Sequence, residues 1–539
     1  MTIKVFTVEE MVAAEKAADA AGISYDQMME TAGQSVAEAI RQRYQVAGQQ
    51  VLILVGPGNN GGDGLVAGRH LAQMGADVFF YLYRARDEQD DANYALVRER
   101  DWPVLLAGED EGYRELYRLV YQADILIDAL LGTGVDRPIG GELAGLMEAV
   151  QAALAERRES PARDRAWLTA ITPVEPPGSP LGGPEIVAVD CPSGLNTDTG
   201  ELDPLAFPAS LTVTFAGPKR GHFIFPGAAA VGELVVADIG ISAGLPEVAA
   251  VPVDLATAVL ARKLLPARPA NGHKGTFGKV LIAAGSAHYW GAPLLCGRGA
   301  YRTGSGLVAV AVPRAIRPVV AGQLPEATYP PVPDEENWGV AGAEFLLDQV
   351  EEYDALLFGP GLGETTEFVE RLLAGAADLP PLVVDADGLN TLAQMEAWAE
   401  RLPANSVLTP HPGEMARLIG IPLNQLAERD RVTLAREKAA AWQQVLLLKG
   451  AYTIIAAPDG RCTLLPFANP ALSTAGSGDV LAGVIVSLLG QGLAPYKAAV
   501  LGGYLHGAAG HLAGAEVGEA GLLAAEIADW LPVVRRQLS

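Results

Sequence analysis

Short apolar runs, many of them closed by glycine or aspartate, recur along this chain with helical patterns between them, and that alternation constrains the fold more than any other feature. In the N-terminal half the runs are QVLILVG, DVFFYLY, DILIDALL and EIVAVD, with GELVVADIG after them. In the C-terminal half GKVLIAAG, GLVAVAVP, DALLFGPG, PLVVDADG, SVLTPHP and VLLLKG keep the rhythm. Runs apolar at every position suit strands buried on both faces, which means parallel sheets covered by helices. The fold class expected is α/β: two tandem α/β domains over residues 1–245 and 255–539, with ISAGLPEVAAVPVD as the connector.

Local signals refine this frame. Thr7 followed by Glu10 is a capping box that starts a helix, and SYDQMMETAGQSVAEAIRQRY continues in helical period. YTIIAAPDGRCTLLP predicts a hairpin turning at Asp459-Gly460. Residues 157–184, rich in Pro, Arg and Gly, read as an exposed loop inserted ahead of a strand. The net charge of −25 argues against nucleic acid and anionic membranes as partners. Any phosphate site must then be local, built from amides at a helix start. Cys191, Cys296 and Cys462 have no metal or redox spacing, no apolar stretch reaches membrane-spanning length, and MTIKVFTVEE lacks the pattern of a secretory signal. A soluble, cytoplasmic protein is the expectation.

GPGNNGGDG, residues 56–64, follows a strand, precedes a helix and satisfies G-x-G-x-x-G. Two features oppose a dinucleotide hydride-carrier site. The next strand ends in Tyr83-Arg84, without an acid for a ribose hydroxyl, and Asn59, Asn60 and Asp63 crowd the turn with polar side chains. Two more strand ends resemble it: DILIDALLGTGVDRPIGG places Asp128 before Gly132-Thr133-Gly134 and Arg137, and IVAVDCPSGLNTDTG places Asp190 and Ser193. In an open parallel sheet these ends share one crevice, where Asn60, Asp128 and Ser193 can supply oxygen ligands and Asp63 and Asp190 acid–base groups. A single strand-end aspartate is more often a helix cap; three polar glycine turns favour a site.

In the C-terminal half, NPALSTAGSGDVLAGVIVSLL opens an apolar helix with Ala475-Gly476-Ser477-Gly478. Amides of Gly476, Ser477 and Gly478 there can face one anion, and Asp479 beside them can take a proton from a hydroxyl. Donors that stabilise developing charge together with a base suit phosphoryl transfer. The alternative for the same residues is a glycine turn with Asp479 as a first-turn acid. Lys449-Gly450 at one strand end, His411, Gly413 and Glu414 at another, and the strand ends FGPGLG and VVDADGLN add polar groups to the same edge.

Taken together, METAG, GPGNNGGDGLVAGRHL, DALLGTG, VDCPSGLNTDTG and GPKRGH resemble the NAD(P)H-hydrate epimerase family, a Rossmann-like three-layer domain, over nearly all of residues 1–245. The resemblance implies that Asn59, Asn60, Gly61, Gly62, Asp63, Gly132, Thr133, Gly134, Val135, Asp136, Arg137 and Pro138 contact the hydrated coenzyme. It also implies that Asn60, Asp128 and Ser193 hold K⁺ and that Asp190 binds substrate and serves as acid–base group. Residues 270–525 resemble the ribokinase-like superfamily, and within it the ADP-dependent NAD(P)H-hydrate dehydratases. There the resemblance places Ala292, Gly361, His411 and Asp479 on the hydrate, and Lys449, Gly450, Ala451, Tyr452, Thr453 and Gly478 on the adenine nucleotide, with Asp479 catalytic. ADP is the implied cosubstrate, Mg²⁺ the expected ion, and a homo-oligomer the expected assembly. Two other readings stay open: a small-molecule kinase fused to a nucleotide-binding domain, and an N-terminal half that binds nucleotide without catalysis.

Overall fold

A computed structural model describes residues 3–135, 137–159 and 183–539, and the chain forms two compact units, Lys4–Val251 and Pro252–Ser539, the latter together with Ile3. Residues 160–182 and the expected ligand residue Asp136 lie outside the described residues. The start of the loop expected at 157–184 is corrected, since residues 157–159 close the helix Gly141–Glu159.

The first unit is a seven-stranded sheet. Its strands are β1 (Gln50–Val55), β2 (Asp77–Leu82), β3 (Val104–Leu106), β4 (Ile125–Ala129), β5 (Glu185–Val189), β6 (Leu211–Phe215) and β7 (Glu233–Ala237). The order is β3-β2-β1-β4-β5-β6-β7 and every pairing is parallel. Alternate side chains of β1 enter opposite cores: Val51, Ile53 and Val55 one, Leu52 and Leu54 the other. That explains the uninterrupted apolar run, because both faces are covered. Helix α1 (Val8–Ala20) carries the predicted capping box, with Thr7 N donating to Glu10 Oε2 at 2.7 Å and Glu10 N to Thr7 Oγ1 at 3.2 Å. Helix α2 (Asn59–Gln73) starts directly after the β1 turn.

The second unit places β8 (Val253–Leu255), β9 (Lys279–Ala283), β10 (Leu307–Ala311), β11 (Ala355–Phe358), β12 (Leu382–Val384), β13 (Val407–Leu408), β14 (Val445–Leu448), β15 (Ile454–Ala456) and β16 (Cys462–Leu464) in the order β8-β16-β15-β14-β13-β12-β11-β9-β10. β10 through β14 pair in parallel with β9 among them, and β15 and β16 form the predicted antiparallel hairpin. The stretch expected to be only a connector ends in β8, which pairs with β16.

Helices α3 (Gly291–Thr303) and α4 (Ser477–Gly490) cross at very short range through glycine. A Cβ on Gly483 would stand 2.1 Å from the Cys296 carbonyl oxygen, and one on Gly299 2.5 Å from that of Val480. This contact seats the head of α4 at the strand ends.

Candidate active sites

In the first unit the predicted turns do meet at the carboxyl ends of the strands. Gly56 approaches the β4 turn so closely that a Cβ would lie 1.8 Å from the Leu130 carbonyl oxygen. Asn60 donates through Nδ2 to the Leu131 carbonyl at 2.9 Å, and Leu131 N donates to Ser193 Oγ at 2.9 Å. Ser193 in turn donates to Asp128 from Oγ at 2.6 Å and from its amide at 2.8 Å. The three expected cation ligands are thus brought together through Leu131. Asp128 is fully buried, and burial pushes its carboxyl up to about 6 against the Ser193 and Leu130 hydrogen bonds. Its donors, the Ser193 hydroxyl and the amides of Ser193 and Leu130, are uncharged, so the buried carboxylate keeps a demand for positive charge that an alkali cation would meet. Val135, Arg137 and Pro138 line a cleft of about 390 Å³ with Asn196 and Asp203.

Asp190 sits just after β5 with φ +62°, a left-handed conformation that a non-glycine residue adopts at a cost. Its Oδ1 accepts from the Lys219 ammonium, from Thr214 Oγ1 at 2.8 Å and from Phe215 N at 3.2 Å. Burial alone would raise this carboxyl, yet Lys219 and Thr214 outweigh it and hold Asp190 below the usual range. Asp63, nearly buried, is pushed well above the usual range by desolvation and by the carboxylates of Asp190 and Glu15. Glu15, on α1, is raised chiefly by burial. His222 is buried and held down to about 3, so its ring is neutral.

Sequence reasoning missed three members of this neighbourhood. Lys219 lies inside GPKRGH, but nothing in that string says its ammonium turns inward. Glu15 reads as one more acid of an amphipathic helix. Arg86, past the tip of β2, donates from Nη2 to the carbonyls of Gly56 and Gly58 at 2.7 and 2.6 Å and pins the glycine turn. An arginine four residues beyond a strand end was the only available signal.

In the second unit Gly361, at φ +66°, lies against Ala292, since its Cβ would stand 3.0 Å from the alanine Cβ. Asp479 lies in the first turn of α4, which starts after Gly476 in the left-handed region. The expected use of the Ser477 amide as an anion donor is corrected: it donates to the Thr474 carbonyl at 3.3 Å and is spent inside the turn. Burial and the Asp385 carboxylate push Asp479 up to about 7, against the pull of Lys449. Lys449 Nζ lies 2.8 Å from Asp385 Oδ1 and 3.7 Å from Glu414 Oε2. It also stands 3.4 Å from where a Cβ on Gly478 would be, so the two expected nucleotide residues adjoin. Arg431 Nη1 donates to the Ala451 carbonyl at 2.8 Å and Thr453 Oγ1 to that of Gly450 at 2.8 Å, which shapes the Lys449–Thr453 loop. His411 caps the helix Pro412–Ile419, with Nδ1 accepting from Gly413 N at 2.9 Å, so its ring already has a structural task. Asp385 and Glu414 are the contributors here to which the sequence reading gives no role; both look like helix-start acids until the fold sets them around Lys449.

Comparison with known proteins follows the same division. The model of the NAD(P)H-hydrate dehydratase family matches residues 280–533, and that of the YjeF-related protein N-terminus matches 25–221. A bifunctional NAD(P)H-hydrate repair enzyme of Moorella thermoacetica is 41% identical over 522 residues, 95% of this chain and 92% of that protein. The chain belongs to the bifunctional NAD(P)H-hydrate repair enzymes. Another member, from Thermofilum pendens, is 36% identical over 99% of this chain and 97% of its own. A solved ADP/ATP-dependent NAD(P)H-hydrate dehydratase from Bacillus subtilis is 38% identical, covers 53% of this chain and 98% of its own, and superposes with a TM-score of 0.47. This repair enzyme therefore carries an epimerase domain followed by a dehydratase domain, and the fused kinase and the non-catalytic N-terminal half are set aside.

Proposed function

We propose that the first unit interconverts the R and S hydrates of NADH and NADPH, and that the second converts the S hydrate to the reduced coenzyme at the expense of ADP, releasing AMP and phosphate. The observation that carries the proposal is the half-buried carboxyl of Asp479 at the head of α4, beside Lys449 and Gly478. Asp479 takes the proton of the C6 hydroxyl as its oxygen attacks the β-phosphorus of ADP. The bond to AMP breaks and a phosphate ester forms. The C6–O bond then breaks with its electron pair leaving on phosphate, assisted by the ring nitrogen, and loss of a proton from C5 restores the dihydronicotinamide. Phosphate departs where hydroxide would not. Lys449 and the free amides at the head of α4 hold the transferred group.

In the first unit, the ring nitrogen's lone pair expels the hydroxyl once an acid protonates it. Water returns to the planar iminium from either face, with Asp190 as acid–base group. K⁺ would be held by Asn60, Asp128 and Ser193, where its charge would compensate the buried Asp128 carboxylate. Mg²⁺ would arrive with the diphosphate, since no cluster of three His, Cys, Asp or Glu side chains suited to a metal is found among the described residues. Cytoplasmic residence and a homo-oligomer belong to the same reading; the buried thiols of Cys191, Cys296 and Cys462, outside any disulfide among the described residues, suit a reducing compartment, and no helix among the described residues is long and apolar enough to cross a membrane.

The test is to incubate the chain with each hydrate and ADP and follow the near-ultraviolet absorbance of the reduced coenzyme. Recovery from both hydrates, with AMP and phosphate formed in equal amounts, is expected, and replacing potassium by sodium should slow only the R hydrate. Recovery without ADP consumption would sink the proposal.

A further inference from the structure

We propose that Asp63 and Asp190 form an acid–base pair in epimerisation, Asp63 the proton donor and Asp190 the acceptor. This deepens the epimerase reading above and rests on it.

Expelling hydroxide needs a proton donor, and Asp190 is badly placed to be one. Its Oδ1 is approached by three donors, from Lys219, Thr214 and Phe215, all of which favour the ionised carboxylate. Lys219 cannot take the role either. An ammonium has three donors, and these are directed at Asp190, at Thr214 Oγ1 (2.9 Å) and at the Phe215 carbonyl (3.4 Å). The His222 ring is neutral in its buried position, with Nδ1 accepting from Lys219 N at 3.2 Å. Two acids remain. Glu15 approaches from α1, outside the strand-end turns. Asp63 lies near the head of α2, where Gly61 packs so closely on the β1 turn that a Cβ would meet the Gly56 carbonyl oxygen at 2.1 Å. That backbone approach fixes the head of the helix, so Asp63 is held in place.

The charged and titratable groups around Asp63 are Asp190, Glu15, Lys219 and Arg86; those around Asp190 are Lys219, His222, Cys191, Asp63 and Glu15. The Asn60–Leu131–Ser193 hydrogen bonds tie the head of α2, which carries Asp63, to the loop after Asp190, and the Lys219 ammonium is spent on Asp190, so the other buried carboxyls here are driven towards their protonated form. Asp190 has the hydrogen bonds, so the proton settles on its neighbours. Carboxyls whose surroundings drive them apart in this way mark a donor and an acceptor.

The step balances. Asp63 gives its proton to the C6 hydroxyl while the C6–O bond breaks, and the nitrogen lone pair forms the iminium. A water molecule attacks C6, nitrogen recovers its lone pair, and Asp190 takes the water's proton. Asp63 is then ionised and Asp190 protonated, the form that runs the reaction in reverse; exchange with the expelled water restores the starting state.

The experiment measures R-hydrate consumption against pH for the unaltered chain and for Asp63→Asn, Asp63→Glu and Glu15→Gln. Asp63→Asn should lower kcat by about 10²–10⁴ with KM little changed, and should remove the high-pH limb of the profile. Asp63→Glu should recover part of the rate and the limb, and Glu15→Gln should keep the limb but move it to lower pH, because one of the carboxylates that raise Asp63 is gone. An Asp63→Asn enzyme within about threefold of the parent, high-pH limb intact, overturns the pair, as does loss of that limb in Glu15→Gln alone. Should both Asp63 variants lose the thermal transition of their unit, carboxyl ¹³C titration of the unaltered protein decides: Asp63 protonated at the assay optimum supports the pair, Asp63 ionised refutes it. An unaltered chain that leaves the R hydrate untouched would instead refute the epimerase reading.

Discussion

At the scale of single residues, the chemistry turns on carboxyls displaced from their ordinary ionisation. Asp479 is pushed up to about 7 by burial first and by Asp385 second. As a base it must be ionised, so dehydratase kcat/KM should rise with pH up to about 7 and level off above it. Asp385→Asn removes a neighbouring negative charge and releases Lys449 from the nearer of its two carboxylate partners, so that more of its charge is felt by Asp479. Both effects lower the Asp479 carboxyl, so the acid limb should move to lower pH. A limb that stays in place would show that another group controls it. Asp479→Asn should cost roughly 10²–10⁴ in kcat, the usual worth of a general base. Residue types at the strand ends were legible in the string: Asn60, Asp128, Asp190, Lys449 and Asp479 all stand out there. Their partners were not, because Lys219, Glu15 and Asp385 reach the sites through contacts distant in sequence.

At the scale of elements, glycine sets distances. Gly483 is helical, and alanine in its place would gain about 1 kcal/mol of helix propensity. The new Cβ would meet the Cys296 carbonyl oxygen at 2.1 Å, and a backbone atom cannot step aside cheaply. Overpacking of this kind costs about 1–3 kcal/mol or more, so Gly483→Ala should lower the melting temperature of the second unit rather than raise it. It should also impair ADP use, because α4 carries Gly478 and Asp479. An unchanged melting temperature would mean that the α3–α4 spacing is looser than described. Some elements escaped the sequence pattern for a related reason. β6, LTVTF, alternates with threonine and reads as half-polar, yet Thr212 Oγ1 donates to the Val231 carbonyl at 2.6 Å and Thr214 to Asp190, so both hydroxyls are buried at little cost. β3 and β8 are three residues each, too short to show a period.

At the scale of the whole molecule, epimerisation lets both hydrates drain through one stereospecific dehydratase. The two activities reside in separately packed units, so they should complement in trans. Asp190→Asn and Asp479→Asn chains should each fail to recover coenzyme from the R hydrate, and an equimolar mixture should succeed. Failure of the mixture, with each partner active in its own half reaction, would require the intermediate to pass within one chain.

The string of residues by itself determined the α/β class, most strands, the capping box, the hairpin and the polar glycine turns. These depend on near neighbours, and local spacing and composition suffice to express them. Only the tertiary structure decided that Lys219 and Thr214 donate to Asp190 while Asp63 is buried at the head of α2, that Arg86 pins the first turn, and that the Ser477 amide is turned onto the Thr474 carbonyl. Protonation and hydrogen-bond allegiance follow from burial and from charges a few ångströms away, and such neighbours become known only when the chain has closed around them.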